Sequence, residues 1–265
     1  MESLKNVLSS FELKKELNPK MWVKGGEKIN PTVRRNLLEI AYQFIDSFGL
    51  DVVVDDIIVT GSIANYNWSK YSDVDLHILI DYRQFKQEMM DLYVDFFDLK
   101  KVVFNQKRQI TMFGYDVELY VEDSNKQGVS SGIYSIMRDE WVVKPKKDSF
   151  GKANMKEVKQ KAEQWMRIIN GVLDNIENES PDEIKNIIKK YKDKLKKYRV
   201  SGLEKGGEMG VENLVFKVLR RNGYIEKLYN VPTKLIDKKL SLDERLKNWL
   251  FQYIYIIKTK KLWEN

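Results

Sequence analysis

The run Ser72-Asp73-Val74-Asp75-Leu76-His77-Ile78-Leu79-Ile80 constrains the fold of this chain more than any other stretch. In a strand, side chains i and i+2 share one face, so Asp73 and Asp75 point the same way while Val74, Leu76, Ile78 and Ile80 supply an apolar face. Carboxylates held so close repel each other. Near neutral pH that repulsion is tolerable mainly where cations bind, and hard oxygen ligands suit Mg²⁺ or Mn²⁺, which bridge carboxylates to phosphate oxygens.

Val59-Thr60-Gly61-Ser62 precedes this run, with an eleven-residue step from Gly61 to Ser72. Gly61 permits a tight turn and the close approach of a ligand. Ser62 is expected to cap a short helix whose free N–H groups, together with the hydroxyl, meet a phosphate. Amide donors for a triphosphate and carboxylates for its metals are complementary halves of a phosphoryl-transfer site. In these elements and their order the chain resembles the DNA polymerase beta superfamily of nucleotidyltransferases, whose signature is a hydrophobic residue, Gly-Ser, roughly ten residues and then Asp-x-Asp in a strand.

The same family pattern asks for a third carboxylate on a neighbouring strand. Tyr115-Asp116-Val117-Glu118-Leu119-Tyr120-Val121-Glu122 alternates, with Val117, Leu119 and Val121 on one face and Asp116, Glu118, Tyr120 and Glu122 on the other. Periodicity alone leaves Asp116, Glu118 and Glu122 as candidates. The resemblance selects Glu118, which sits mid-run with apolar neighbours on both sides.

His77 is the single histidine and there is no cysteine. Cys/His zinc sites, cysteine nucleophiles and redox motifs therefore lack ligands, and no Gly-x-Ser-x-Gly elbow accompanies His77 to make a hydrolase triad. His77 shares the strand face of the aspartates and reads as a polar residue bonded to a neighbour. No apolar run is long enough to span a bilayer, and Met1 to Leu17 mixes charges into its apolar positions, unlike a signal peptide. The absence of cysteine fits a reducing cytoplasm.

Charge divides the chain. Residues 1–144 carry 18 Lys and Arg against 22 Asp and Glu, net −4, whereas residues 145–265 carry 28 against 17, net +11. An acidic half with a metal site joined to a basic half suits a polyanionic substrate. Lys189, Lys190, Lys192, Lys194, Lys196 and Lys197 equally fit the solvated face of a helix.

The first half, 1–144, reads as follows. Asn30-Pro31 opens a helix that Gly49 closes, and Val52–Val59 is a strand. Gly61–Trp68 is a turn with a short helix, Asp73–Asp81 the strand of the aspartates, and Arg83–Leu99 a crossing helix. A hairpin follows about Phe113-Gly114, and Tyr134–Val143 forms a further strand or extended arm. Lys144–Gly151 is a linker. Residues 145–265 read as helical: a stripe from Val158 to Ile176, a helix opened by Ser180-Pro181-Asp182-Glu183 and ending near Tyr198, a third from about Gly210 to Tyr224, and a fourth from Asp243 to Lys258. In the third, Lys217, Arg220 and Arg221 lie at i, i+3 and i+4 spacing and could hold a triphosphate or an RNA backbone. Tyr134 and Trp141 could stack a base, although most aromatics at such spacing belong to a core.

Including the Asn65–Tyr71 insert, the run is similar to nucleotidyltransferases attributed to large tailed phages. The resemblance implies an α+β fold, a small mixed-sheet polymerase beta-like domain followed by a helical domain. It implies a nucleoside triphosphate, ATP favoured, and two Mg²⁺ or Mn²⁺ ions held by Asp73, Asp75 and Glu118, with Gly61 and Ser62 on the phosphates. Transfer of a nucleoside monophosphate to an acceptor hydroxyl follows, and the basic half favours RNA as acceptor. The alternatives are adenylylation of a protein or small molecule, synthesis of an oligonucleotide signal, and a catalytically silent nucleotide- or RNA-binding module.

Overall fold

Asn30 and Pro31 start their helix as expected in the computed structural model, which describes residues 3–126, 130–147, 151–176 and 179–240. The Asn30 side chain accepts from the Thr32 N–H at 2.9 Å, and helix α2 (Pro31–Asp46) follows the short α1 (Leu4–Ser9). Val33, Leu37, Ala41 and Phe44, spaced at helical period, are wholly buried.

Six strands form one mixed sheet: β1 (Val54–Thr60), β2 (Val74–Ile80), β3 (Thr111–Met112), β4 (Tyr115–Asp123), β5 (Ile133–Ser135) and β6 (Glu140–Val143), in the order β3-β4-β2-β1-β5-β6. β2 and β4 run parallel, connected through α3 (Met90–Lys107), and the other neighbours are antiparallel. Val74, Leu76, Ile78 and Ile80 of β2 and Val117 and Leu119 of β4 join Phe44, Phe97 and Phe104 in one core. The alternation that buries these residues turns Asp75, His77, Glu118 and Tyr120 to the opposite face.

Three local expectations are corrected. Residues 61–67 form turns and no helix, so Ser62 caps nothing. The crossing helix starts at Met90 instead of Arg83, because Asp81 caps a 3₁₀ turn at Tyr82–Gln84, accepting from the Arg83 N–H at 2.9 Å, and Phe85 then takes an extended backbone. Tyr134–Val143 is neither a single strand nor an arm: its ends belong to the paired strands β5 and β6.

The chain divides into two compact units, Glu2–Lys152 and a second beginning at Ala153. The second is helical where described: α4 (Met155–Asn175), α5 (Pro181–Gly206), α6 (Val211–Arg221) and α7 (Tyr224–Leu240). Ser180 and Glu183 form the expected capping box, with the Glu183 carboxylate accepting from the Ser180 N–H at 3.0 Å. α5 continues past Tyr198 to Gly206. Gly202 lies where α6 packs closest, and a Cβ there would strike the Asn213 backbone nitrogen. α7 was not legible, since it follows Gly223 at φ +75° and contains Pro232. The helix expected at Asp243–Lys258 lies outside the described residues.

Candidate active site

The parallel register of β2 and β4 sets Asp75 beside Glu118, and Asp73 stands immediately before β2. Asp73, Asp75 and Glu118 each offer an oxygen lying within 4.8 Å of the others, and all three are half-buried. Two unit charges at such a distance repel by about 3 kcal/mol at an effective dielectric of about 20. Three ionised pairs would thus cost roughly 10 kcal/mol, comparable with the whole stability of a domain. A hard divalent cation relieves this, and the donor set, anionic oxygen throughout, fits Mg²⁺ or Mn²⁺.

The other two candidate acids of β4, Asp116 and Glu122, are engaged differently. Asp116 is exposed and pairs in register with Thr111 of β3, while the Glu122 carboxylate meets His77 Nδ1 at 3.0 Å. The hydrogen bond from His77 holds the Glu122 carboxyl below the usual glutamate range, against the opposing pull of burial. His77 Nε2 lies 3.0 Å from Thr60 Oγ1, and its ring stacks on Tyr120 at 4.7 Å. The histidine is thus hydrogen-bonded to Thr60 through Nε2, as the sequence reading of a polar residue bonded to a neighbour expects, while Nδ1 faces the Glu122 carboxylate.

Tyr120 had no role in the sequence reading beyond its place on the acidic face. Its hydroxyl donates to Glu118 Oε2 at 2.6 Å, fixing that carboxylate. Burial, and next the bond to Glu118, push the phenol well above the usual tyrosine range, so it remains a donor at neutral pH. Only the i, i+2 spacing to Glu118 could have suggested the pair.

Gly61 ends β1 at φ +73°, and a Cβ built on it would overlap Asp75 Oδ2. The turn backbone therefore lies directly against the carboxylate, an approach that only glycine allows. Ser62 Oγ donates to Ser72 Oγ at 2.7 Å, which in turn accepts from the Ser69 N–H at 3.0 Å, tying the turn to the entry of β2. Trp22 Nε1 donates to the Ile63 carbonyl at 2.8 Å from behind. Trp22 stacks on Trp141 at 4.4 Å and meets Tyr134 edge-on at 5.0 Å. Tyr134, wholly buried, and Trp141 thus help to build the wall behind the turn. Nothing in the local sequence of Trp22 marked it for that place.

Lys217, Arg220 and Arg221 lie on α6 in the second unit. Lys217 is half-buried and bonded to Glu208, Arg221 is half-buried, and Arg220 is exposed. The structure thus gathers Gly61, Ser62, Asp73, Asp75 and Glu118 at one end of the sheet, within the first unit. Comparison of the chain with models of known families, with curated proteins and with solved structures gives no match.

Proposed function

We propose that the protein is a metal-dependent nucleotidyltransferase, moving a nucleoside monophosphate from a triphosphate, ATP favoured, to an acceptor hydroxyl. The observation that carries this reading is the convergence of Asp73, Asp75 and Glu118 oxygens within 4.8 Å beside a glycine turn. Two Mg²⁺ or Mn²⁺ ions held by these carboxylates would lower the pKa of the attacking hydroxyl and offset charge on the leaving pyrophosphate. Gly61 and Ser62 would take the phosphates, with Gly61 giving the Asp75 carboxylate room against the turn. Tyr120 holds Glu118 in place, and the Ser62–Ser72 bond fixes the distance between turn and strand.

RNA is the proposed acceptor, on the strength of the net +11 carried by residues 145–265. The exposed lysines 185, 189, 190, 196 and 197 of α5 support it. Incubating the protein with each α-labelled NTP, Mg²⁺ or Mn²⁺, and RNA, protein or small-molecule acceptors tests the reading. Label is expected on RNA, with pyrophosphate released and no transfer by Asp75→Asn. No transfer to any acceptor class would refute it, and label on protein would move the acceptor and leave the chemistry.

A further inference from the structure

Behind the carboxylates stands a second row of side chains on the same sheet face. Strand register sets Thr60 beside Asp75 and Asp75 beside Glu118, and two residues further along β2 it sets His77 beside Tyr120. Alternation turns both rows to one side of the sheet. The rows are tied together at both ends: His77 Nε2 lies 3.0 Å from Thr60 Oγ1, and the Tyr120 hydroxyl donates to Glu118 at 2.6 Å. Between these ties the imidazole and phenol rings stack, 4.7 Å apart and 17° from parallel.

The His77 side chain is only 13% exposed, and an apolar residue would fill its place without the cost of burying a polar ring. What an apolar residue could not do is fix the plane of the ring. The Glu122 carboxylate stands 3.0 Å from Nδ1 and favours the proton there, which leaves Nε2 to accept from the Thr60 hydroxyl. A ring set between a carboxylate and a hydroxyl has one orientation, and it hands that orientation to the phenol stacked on it. The Lys101 ammonium also lies over the Tyr120 ring, at 5.6 Å, but it is paired with Asp98 of its own helix. His77 instead ties the ring to Thr60, the residue that leads into the glycine turn.

We infer that His77 is a positioning residue of the metal site: it fixes Tyr120, and through Tyr120 the Glu118 carboxylate, where the cation is bound. The role rests on the reading of Asp73, Asp75 and Glu118 as metal ligands. Groups behind a metal's ligands set the ligands' orientation, and losing one typically costs about ten- to a hundredfold in metal affinity.

Mn²⁺ titration followed by electron paramagnetic resonance, with thermal melts alongside, tests this on the wild type, His77→Ala, Tyr120→Phe and the double variant. His77→Ala should weaken Mn²⁺ binding by about tenfold, and His77→Phe, which keeps a ring against Tyr120, should recover part of the loss. In the Tyr120→Phe background His77→Ala should add little, because the path to Glu118 is already cut. A merely structural histidine would lower the melting temperature in both backgrounds alike and leave the affinity unchanged. Should His77→Ala not fold, the same cycle is read with His77→Phe. Wild-type affinity in the His77 variant, or a loss equally large with and without the Tyr120 hydroxyl, would overturn the inference. No Mn²⁺ binding by the wild type would overturn the metal reading itself, and the positioning role with it.

Discussion

Gly61 and Asp75 touch so closely that a side-chain carbon on the glycine would occupy the place of Asp75 Oδ2. The glycine also sits at φ +73°, where an L side chain is strained by about 1–2 kcal/mol. Gly61→Ala is therefore expected to displace the Asp75 carboxylate and lower transfer by at least about a hundredfold, nearly 3 kcal/mol of transition-state stabilisation. It should cost only a few degrees of melting temperature. Parallel thermal melts and turnover assays separate the two effects. Equal losses in a distant glycine variant of the same stability would show that the contact with Asp75 is immaterial.

Tyr120→Phe removes one charge-assisted hydrogen bond from Glu118 while keeping the ring that stacks on His77. Such bonds contribute about 1.5–3 kcal/mol, so transfer should fall by roughly ten- to a hundredfold with the fold intact. Glu118→Gln should abolish transfer, because it removes an anionic ligand. Asp116→Asn should be mild, since Asp116 faces solvent beside Thr111. Glu122→Gln should also be mild, with its effect confined to the His77 contact. Turnover and nucleotide titrations across the four variants rank them, and an essential Asp116 with a dispensable Glu118 would contradict the register-based assignment.

The alternation of β2 and β4 was readable because burying one sheet face leaves no other place for the acids. The third carboxylate was not decided by period alone, since Asp116, Glu118 and Glu122 share a face. It is the parallel register, Asp75 beside Glu118, that separates them, and register between distant strands is not written in either strand. The helix expected after Ser62 failed for a local reason: the serine hydroxyl is spent on Ser72 instead of on a helix N-terminus. Trp22 and Trp141 are far apart in sequence, so their stacking behind the glycine turn had no local signature.

In the helical unit the Lys161 ammonium lies 2.8 Å from Glu157 and 2.9 Å from Glu212. The hydrogen bond from Lys161 holds Glu212 below the usual glutamate range, with burial opposing it. A depressed carboxyl pKa gives stability that is present above the unfolded value and lost as pH falls through the folded one. Glu212→Gln should therefore cost about 1 kcal/mol at pH 7 and less at pH 3, where the carboxyl is on its way to protonation. Denaturant melts at both pH values check this, and a loss as large at pH 3 as at pH 7 would assign it to packing.

On α6, Lys217 is bonded to Glu208 whereas Arg220 is exposed. If this helix contacts RNA phosphate, Arg220→Ala should reduce the log–log salt slope of binding by up to about one unit, and Lys217→Ala by less. Filter binding over a salt series distinguishes them. A slope unchanged in Arg220→Ala would place the contact elsewhere on the basic unit.

The central claim is that Asp73, Asp75 and Glu118 act together as one hard-metal site, and it can be tested without knowing the acceptor. Mn²⁺ titration followed by electron paramagnetic resonance, on the wild-type chain and on Asp73→Asn with Asp75→Asn, reads it directly. The wild type should bind Mn²⁺, more tightly with ATP present, and the double variant should lose that binding while keeping its melting temperature. Equal Mn²⁺ binding by the wild type and the double variant would contradict the account.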